Sequence, residues 1–131
     1  MRGRACLLAV VMLPTLGACA TEPSEMSITG QWGAAELEFI ATSRTATLLL
    51  PCQAQARFSG PIHADGAGRF RLAGTVVQRY GSSHVRVSGL VNGVDLSLTL
   101  EFTYAGGGRQ TQSNVLRPGV RPDFSQSVCF A

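Results

Sequence analysis

Val94-Asp95-Leu96-Ser97-Leu98-Thr99-Leu100-Glu101-Phe102 alternates apolar and polar residues without a break. A period of two places every apolar member on one face and every polar member on the other, as in a strand with one side on a core and one in water. A helix would scatter the same leucines around its circumference. The stretch therefore predicts a half-buried antiparallel strand, and the fold follows from how often the pattern recurs.

It recurs in Glu36-Leu37-Glu38-Phe39, Gln53-Ala54-Gln55-Ala56-Arg57-Phe58, Arg69-Phe70-Arg71-Leu72 and His84-Val85-Arg86-Val87. Turn signals separate these runs: Thr42-Ser43, Gly60-Pro61, Asp65-Gly66-Ala67-Gly68, Gly81-Ser82-Ser83, Asn92-Gly93 and Gly106-Gly107-Gly108. Asn92-Gly93 has the composition of a type I′ hairpin turn, which needs positive φ at both central residues. No stretch has a convincing helical period. Strands are expected over 30–41, 45–50, 52–60, 69–77, 84–91, 94–102 and 109–117, with an eighth candidate at 127–130. An open meander of this length leaves two edges exposed, and closure removes them. The expected fold is all-β: a small antiparallel up-and-down barrel of six to eight strands, with a β-sandwich as the alternative.

The chain begins Met1-Arg2-Gly3-Arg4, continues with an apolar run from Ala5, and reaches Leu16-Gly17-Ala18-Cys19. Two arginines, a short apolar core and small residues before an exit are the features of a secretory signal peptide. The apolar run is too short for the ~20 residues of a spanning helix, and it contains Pro14. Leu16-Gly17-Ala18-Cys19 resembles the lipobox of bacterial lipoproteins, which implies acylation of Cys19 and cleavage before it. Ala18-Cys19-Ala20 also satisfies the small-x-small rule for ordinary cleavage, which would release a soluble secreted or periplasmic protein. The expected organisation is a lipoprotein signal peptide over 1–18, a lipidated flexible tether over 19–29 and a single β-barrel domain over 30–131. The tether reading rests on Glu22, Pro23, Ser24 and Glu25, which bring little apolar surface. Acyl chains on Cys19 would anchor the protein to a membrane. Ala20 is not the aspartate associated with inner-membrane retention, so the resemblance implies the periplasmic side of an outer membrane.

Of the four cysteines, Cys6 and Cys19 belong to the leader and its junction, which leaves Cys52 and Cys129 in the domain. In an oxidising compartment a lone pair is expected to form a disulfide. A loop of about 76 residues closed in this way is stabilised by about 4 kcal/mol on the chain-entropy model. There is no C-x-x-C and no histidine at ligand spacing from either cysteine, so no metal is expected.

All eleven basic residues are arginine. Without Arg2 and Arg4, nine arginines face eight carboxylates and the mature chain is nearly neutral. No basic stripe stands out along the sequence, and nucleic acid is not an expected partner.

Gly30-Gln31-Trp32-Gly33 resembles the Gly-x-Trp entry of lipocalins and related calycin barrels, with Arg117 in the place of the arginine that packs on that tryptophan. The resemblance implies an eight-stranded barrel with a mouth for a small, often hydrophobic ligand. The domain is shorter than a lipocalin, with no terminal helix visible. The chain also resembles small exported bacterial proteins of unknown function that combine Gly-x-Trp-Gly, a mid-chain cysteine, Gly-Pro-Ile, Gly-Arg-Phe, Ser-Gly-x-Val-x-Gly and a C-terminal cysteine. Here these are Gly30 to Gly33, Cys52, Gly60 to Ile62, Gly68 to Phe70, Ser88 to Gly93 and Cys129.

Whether such a barrel holds a ligand depends on side-chain volume. Trp32, Leu37, Phe39, Leu48, Leu50, Phe58, Phe70, Leu72, Val76, Val85, Val87, Val91, Leu96, Leu98, Leu100, Phe102 and Val115 are expected inside and could fill it. Ala54, Ala56, Gly74 and Gly89 on the same faces could leave room, or could only let strands bend. The chain has no G-x-S-x-G, H-E-x-x-H, Walker or dinucleotide-binding motif, so neither an enzyme nor a cofactor is expected. His63 and His84 fall beside a turn and on a polar strand face, which suits surface residues. His63-Ala64-Asp65-Gly66-Ala67-Gly68 offers one carboxylate where calcium needs several hard oxygen ligands.

The expected function is that of a monomeric, non-catalytic cell-envelope lipoprotein holding a small apolar ligand among Trp32, Phe39, Phe58, Phe70 and Phe102. The alternative is a solid barrel that binds a protein, as some inhibitor-like lipoprotein barrels do, or an envelope polymer. Its loop candidates are 77–84, with Arg79, Tyr80 and Ser82, and 104–110, with Arg109.

Overall fold

The computed structural model describes residues 26–79 and 81–126. They form strands β1 (Met26–Ile28), β2 (Gly30–Ala34), β3 (Leu37–Ala41), β4 (Thr45–Leu49), β5 (Gln55–Ser59), β6 (Ile62–Ala64), β7 (Arg69–Gln78), β8 (Gly81–Asn92), β9 (Asp95–Thr103) and β10 (Arg109–Pro118), then a 3₁₀ turn at Phe124–Gln126. Eight strands close an antiparallel barrel in the order β10-β2-β3-β4-β5-β7-β8-β9, with β9 hydrogen-bonded back to β10. The fold is the up-and-down barrel, with the sandwich excluded. β1 and β6 pair as a separate ribbon, Met26 opposite Ala64 and Ile28 opposite Ile62. Ile28, Ile62 and Ala64 join the buried core cluster.

Several boundaries differ from the sequence reading; the strand expected over 52–60, for one, starts at Gln55, because Cys52 and Gln53 lie in a turn. The expected strand over 30–41 is two strands, β2 and β3, joined at Ala35-Glu36. That split supplies the eighth barrel strand, while the candidate at 127–130 lies outside the described residues. Met26–Ile28, assigned to the tether by composition, is β1 of the ordered fold.

The ladders explain the alternating pattern. Leu96, Leu98 and Leu100 of β9 stand opposite Val91, Gly89 and Val87 of β8, and all three leucines are fully buried. Removing apolar area of this kind from water is worth roughly 25 cal/mol per Å² and drives the closure. Val115 was expected inside, but it is 59% exposed and Leu116 takes the inward place at 0%. The register sets this, because Leu116 faces buried Leu96 and Val115 faces outward Ser97. Val94 is likewise exposed, since it sits in the β8–β9 turn and not on the strand.

That turn is shifted by one residue from the expected site. Asn92 pairs with Asp95, so the central residues are Gly93 and Val94, and only Gly93 of the two has positive φ, at 65°. One glycine at the first central position fits a type II′ turn in place of type I′. Two successive left-handed residues occur instead at Cys52 (φ 65°) and Gln53 (φ 63°), between β4 and β5. Neither is glycine, and such conformations cost an L-residue about 1–2 kcal/mol each. The turn is bracketed by a backbone hydrogen bond of 2.9 Å from the Leu50 N–H to the Ala54 carbonyl.

A thin seam joins β10 to β2, through only Arg117 opposite Gly33 and Pro118 opposite Trp32, as few pairs as join β5 to β7. Four hydrogen bonds cluster around it. The Trp32 indole N–H donates to the Val94 carbonyl at 3.1 Å. The Gly119 N–H donates to the Gln31 carbonyl at 3.2 Å. The Gln31 side-chain amide donates both to the Val120 carbonyl, at 2.6 Å, and to Glu38 Oε2, at 2.9 Å. The chain after β10 thus doubles back across the outer face of β2. It lies so close that a Cβ on Gly33 would come within 2.0 Å of the Val120 oxygen.

Candidate functional site

The structure places the five aromatic residues expected to line a ligand space in or against one core cluster, with Phe39 packed on both Trp32 and Phe70. Phe39 is fully buried, and Phe58, Phe70 and Phe102 nearly so, while Trp32 is half-buried against the same cluster. The Phe39 ring lies 6.3 Å from that of Trp32 and 6.2 Å from that of Phe70, distances of direct aromatic packing. The two inward glycines are covered by rings. A Cβ on Gly89 would fall 2.1 Å from Phe70 Cζ, and one on Gly74 would fall 2.8 Å from Phe58 Cε1. The space that these two glycines release is therefore occupied by side chains of neighbouring strands.

Ahead of Leu116 the inner face of β10 is polar, because Gln112 and Asn114 stand opposite the buried Leu100 and Leu98. Asn114 Nδ2 and Ser83 Oγ are buried without a hydrogen-bond partner among the described residues. Arg117 is exposed and lies opposite Gly33 on the outer face, whereas the Trp32 ring packs with the core.

At the loop candidates the ordered wall is longer than expected. Ser82 and His84 belong to β8, so the β7–β8 connection shortens to the residues around Arg79, and Tyr80 lies outside the described residues. The β9–β10 loop is braced by the Tyr104 hydroxyl donating to Gln110 Oε1 at 2.8 Å, and Arg109 opens β10. Cys19 and Cys129 lie outside the described residues. His63 and His84 are both exposed. The Asp65 carboxylate accepts the backbone N–H groups of Ala67, at 2.9 Å, and Arg69, at 3.0 Å. These bonds, that from Arg69 foremost, hold its pKa below the ordinary carboxylate value. Asp65 thus shapes the turn before β7. Among the described residues no group of three or more His, Cys, Asp or Glu side chains is placed to hold a metal.

A concave surface runs along the outer wall of β7, β8 and β9. Here three adjoining depressions form one trough. The central one, of about 510 Å³, is lined by Arg71, Ala73, Arg86, Ser88, Thr99 and Glu101 among others. It shares Arg71, Ser88 and Thr99 with a depression reaching His63 and Arg69. It shares Ala73, Arg86 and Glu101 with another reaching His84 and Arg109. The register builds this surface. Arg71 faces Ser88 and Ala73 faces Arg86, so the two arginines are diagonal neighbours across β7 and β8. Sequence reading missed the grouping because residues 69, 71, 86 and 109 adjoin only when four strands are laid side by side. The available signal was that Arg69, Arg71 and Arg86 all occupy outward positions of their alternating runs.

Compared with protein-family models, curated proteins and solved structures, the chain matches none significantly.

Proposed function

We propose that this protein is a non-catalytic cell-envelope barrel with a filled interior, which binds a macromolecular partner on its outside. The observation that carries the reading is the placement of the Phe70 and Phe58 rings over Gly89 and Gly74. Native interiors are close-packed, and a ligand entering this one would have to displace Phe70 from its contact with Phe39 and Phe58 from its place over Gly74. The resemblance of Leu16-Gly17-Ala18-Cys19 to a lipobox supports tethering through acylated Cys19, with the signal peptide removed. A disulfide between Cys52 and Cys129 belongs to the same reading. The chain after β10 runs over Gly33 towards the Ala34-Ala35-Glu36 turn, at the end of the barrel that also carries the β4–β5 turn with Cys52. Such a bond would hold the strained Cys52-Gln53 backbone in place.

Native mass spectrometry of residues 20–131, purified oxidised from the envelope of the producing cell, tests the proposal. A single mass equal to that of the chain, two hydrogens light, is expected before and after denaturation. An additional mass lost on denaturing would favour the apolar-ligand reading.

A further inference from the structure

We infer that the trough across β7, β8 and β9 is a binding site for a linear anionic polysaccharide, one carrying carboxylate or phosphate groups. The inference rests on the outside-binding function proposed above and names the face and the chemistry of the partner. Charge is the first argument. Arg69, Arg71, Arg86 and Arg109 border three adjoining depressions that share lining residues, with Glu101 and Asp65 as their only carboxylates among the described residues. The side chains of Arg71, Arg86 and Arg109 make no hydrogen bond or ion pair with the other described residues, which leaves their guanidinium forks available to carboxylate or phosphate oxygens. Arg69 and Arg71 stand two residues apart on one strand, roughly 7 Å, and the diagonal to Arg86 is of similar length. This spreads the positive groups along the trough and does not concentrate them at one point.

The floor is the second argument. Between the arginines lie Ser88, Thr99 and Ala73, short side chains that let an extended chain approach the sheet and offer hydroxyls to sugar hydroxyls. Single-stranded nucleic acid would call for stacking platforms of Phe, Tyr or Trp, and the trough exposes none of these among its described residues. A lipid surface would call for an apolar rim to insert, and the trough offers only half-covered Leu90. Glu101 opposite Arg86 gives the site an acceptor beside its donors, which suits a partner bearing both hydroxyls and acids.

Isothermal titration of the oxidised protein with oligogalacturonate of defined length tests this, with neutral dextran, oligothymidylate and anionic phospholipid vesicles as comparators. Saturable binding to oligogalacturonate that weakens with salt is expected, with none to dextran. Arg71→Gln/Arg86→Gln is expected to weaken binding about tenfold, because each exposed charge contact contributes a factor of a few. Arg44→Gln/Arg121→Gln removes the same charge away from the trough and is expected to leave binding unchanged. No binding, equal loss in both variants, or tighter binding to oligothymidylate or vesicles would overturn the inference. The native mass result stands apart from these outcomes: a bare chain that ignores oligogalacturonate keeps the filled barrel and loses the glycan. A chain that releases an apolar molecule loses the filled barrel whatever the arginines do.

Discussion

Phe70 and Gly89 face each other across β7 and β8, and the phenyl ring of the one lies where a side chain on the other would begin. A methyl group at Gly89 would sit 2.1 Å from Phe70 Cζ and 2.3 Å from Cε2, well inside van der Waals contact. The glycine is there to admit the ring, and the ring removes the room the glycine would leave. Gly89→Ala is expected to destabilise the barrel by about 1–3 kcal/mol through overpacking. Phe70→Leu/Gly89→Ala should cost less than the sum of its parts, because the two positions share one space. Urea unfolding of the two single variants and the pair checks this, and simple additivity would break the relation.

Trp32, beside the β10–β2 seam, ties β2 to the β8–β9 hairpin with its indole N–H on the Val94 carbonyl. Trp32→Phe keeps a ring against Phe39 and removes that donor. The expected loss is about 1 kcal/mol, together with faster amide exchange in the β8–β9 hairpin and at Gly119. An exchange change confined to β2 and β3 would show that the indole does not tie the hairpin to the seam.

Gln31 serves two acceptors with one amide, and one of them, Glu38, is only 8% exposed although it points away from the barrel interior. Gln31→Leu leaves that carboxylate covered and short of a donor, at an expected cost of about 1–3 kcal/mol. Adding Glu38→Leu should recover part of the loss, since replacing both partners of a covered polar pair costs less than replacing one. Thermal unfolding of the single and double variants decides it. A double variant less stable than Gln31→Leu alone would place the value of Glu38 elsewhere.

Asp65 gives the fold a pH dependence of known sign. Its carboxylate is held below the ordinary 3.8, first by the Arg69 backbone N–H and also by those of Ala67 and Gly68. A lowered folded pKa stabilises the fold above the unfolded value, and the contribution is lost as pH falls through the folded one. Wild type should therefore exceed Asp65→Asn in stability by a constant amount at neutral pH, with the gap closing below pH 3.8. Chemical unfolding of both proteins between pH 7 and 2.5 measures the gap, and a gap that widens on acidification would reverse the sign.

How much of this could be read from the sequence depended on whether the information was local. The leucines at 96, 98 and 100 announced a strand with a buried face, and their repetition in other runs pointed to a closed sheet. The break between β2 and β3 was hidden because Ala34-Ala35-Glu36 carries none of the glycine, proline or asparagine that marks a turn. β1 and β6, three residues each, are too short to show a period. The shift of the β8–β9 turn came from register: pairing Val91 with Leu96 put Asn92 opposite Asp95 and left Gly93-Val94 at the tip. For the candidate site, the inward aromatics were legible as a set. Their filling of Gly74 and Gly89 was not, because it is a relation between strands. The arginine-lined trough was invisible for the same reason, and net charge, near neutral, pointed away from it.

The central claim is that the barrel interior is full and that binding belongs to its outer wall. The measurement that tests it most directly is a crystal structure of the oxidised domain under pressurised xenon, an atom that enters apolar cavities without needing a recognised ligand. No xenon is expected among Phe39, Phe58, Phe70 and Phe102, and sites, where found, should lie outside the β-sheet. Ordered xenon inside that ring of aromatics would contradict the account and restore the barrel as a container.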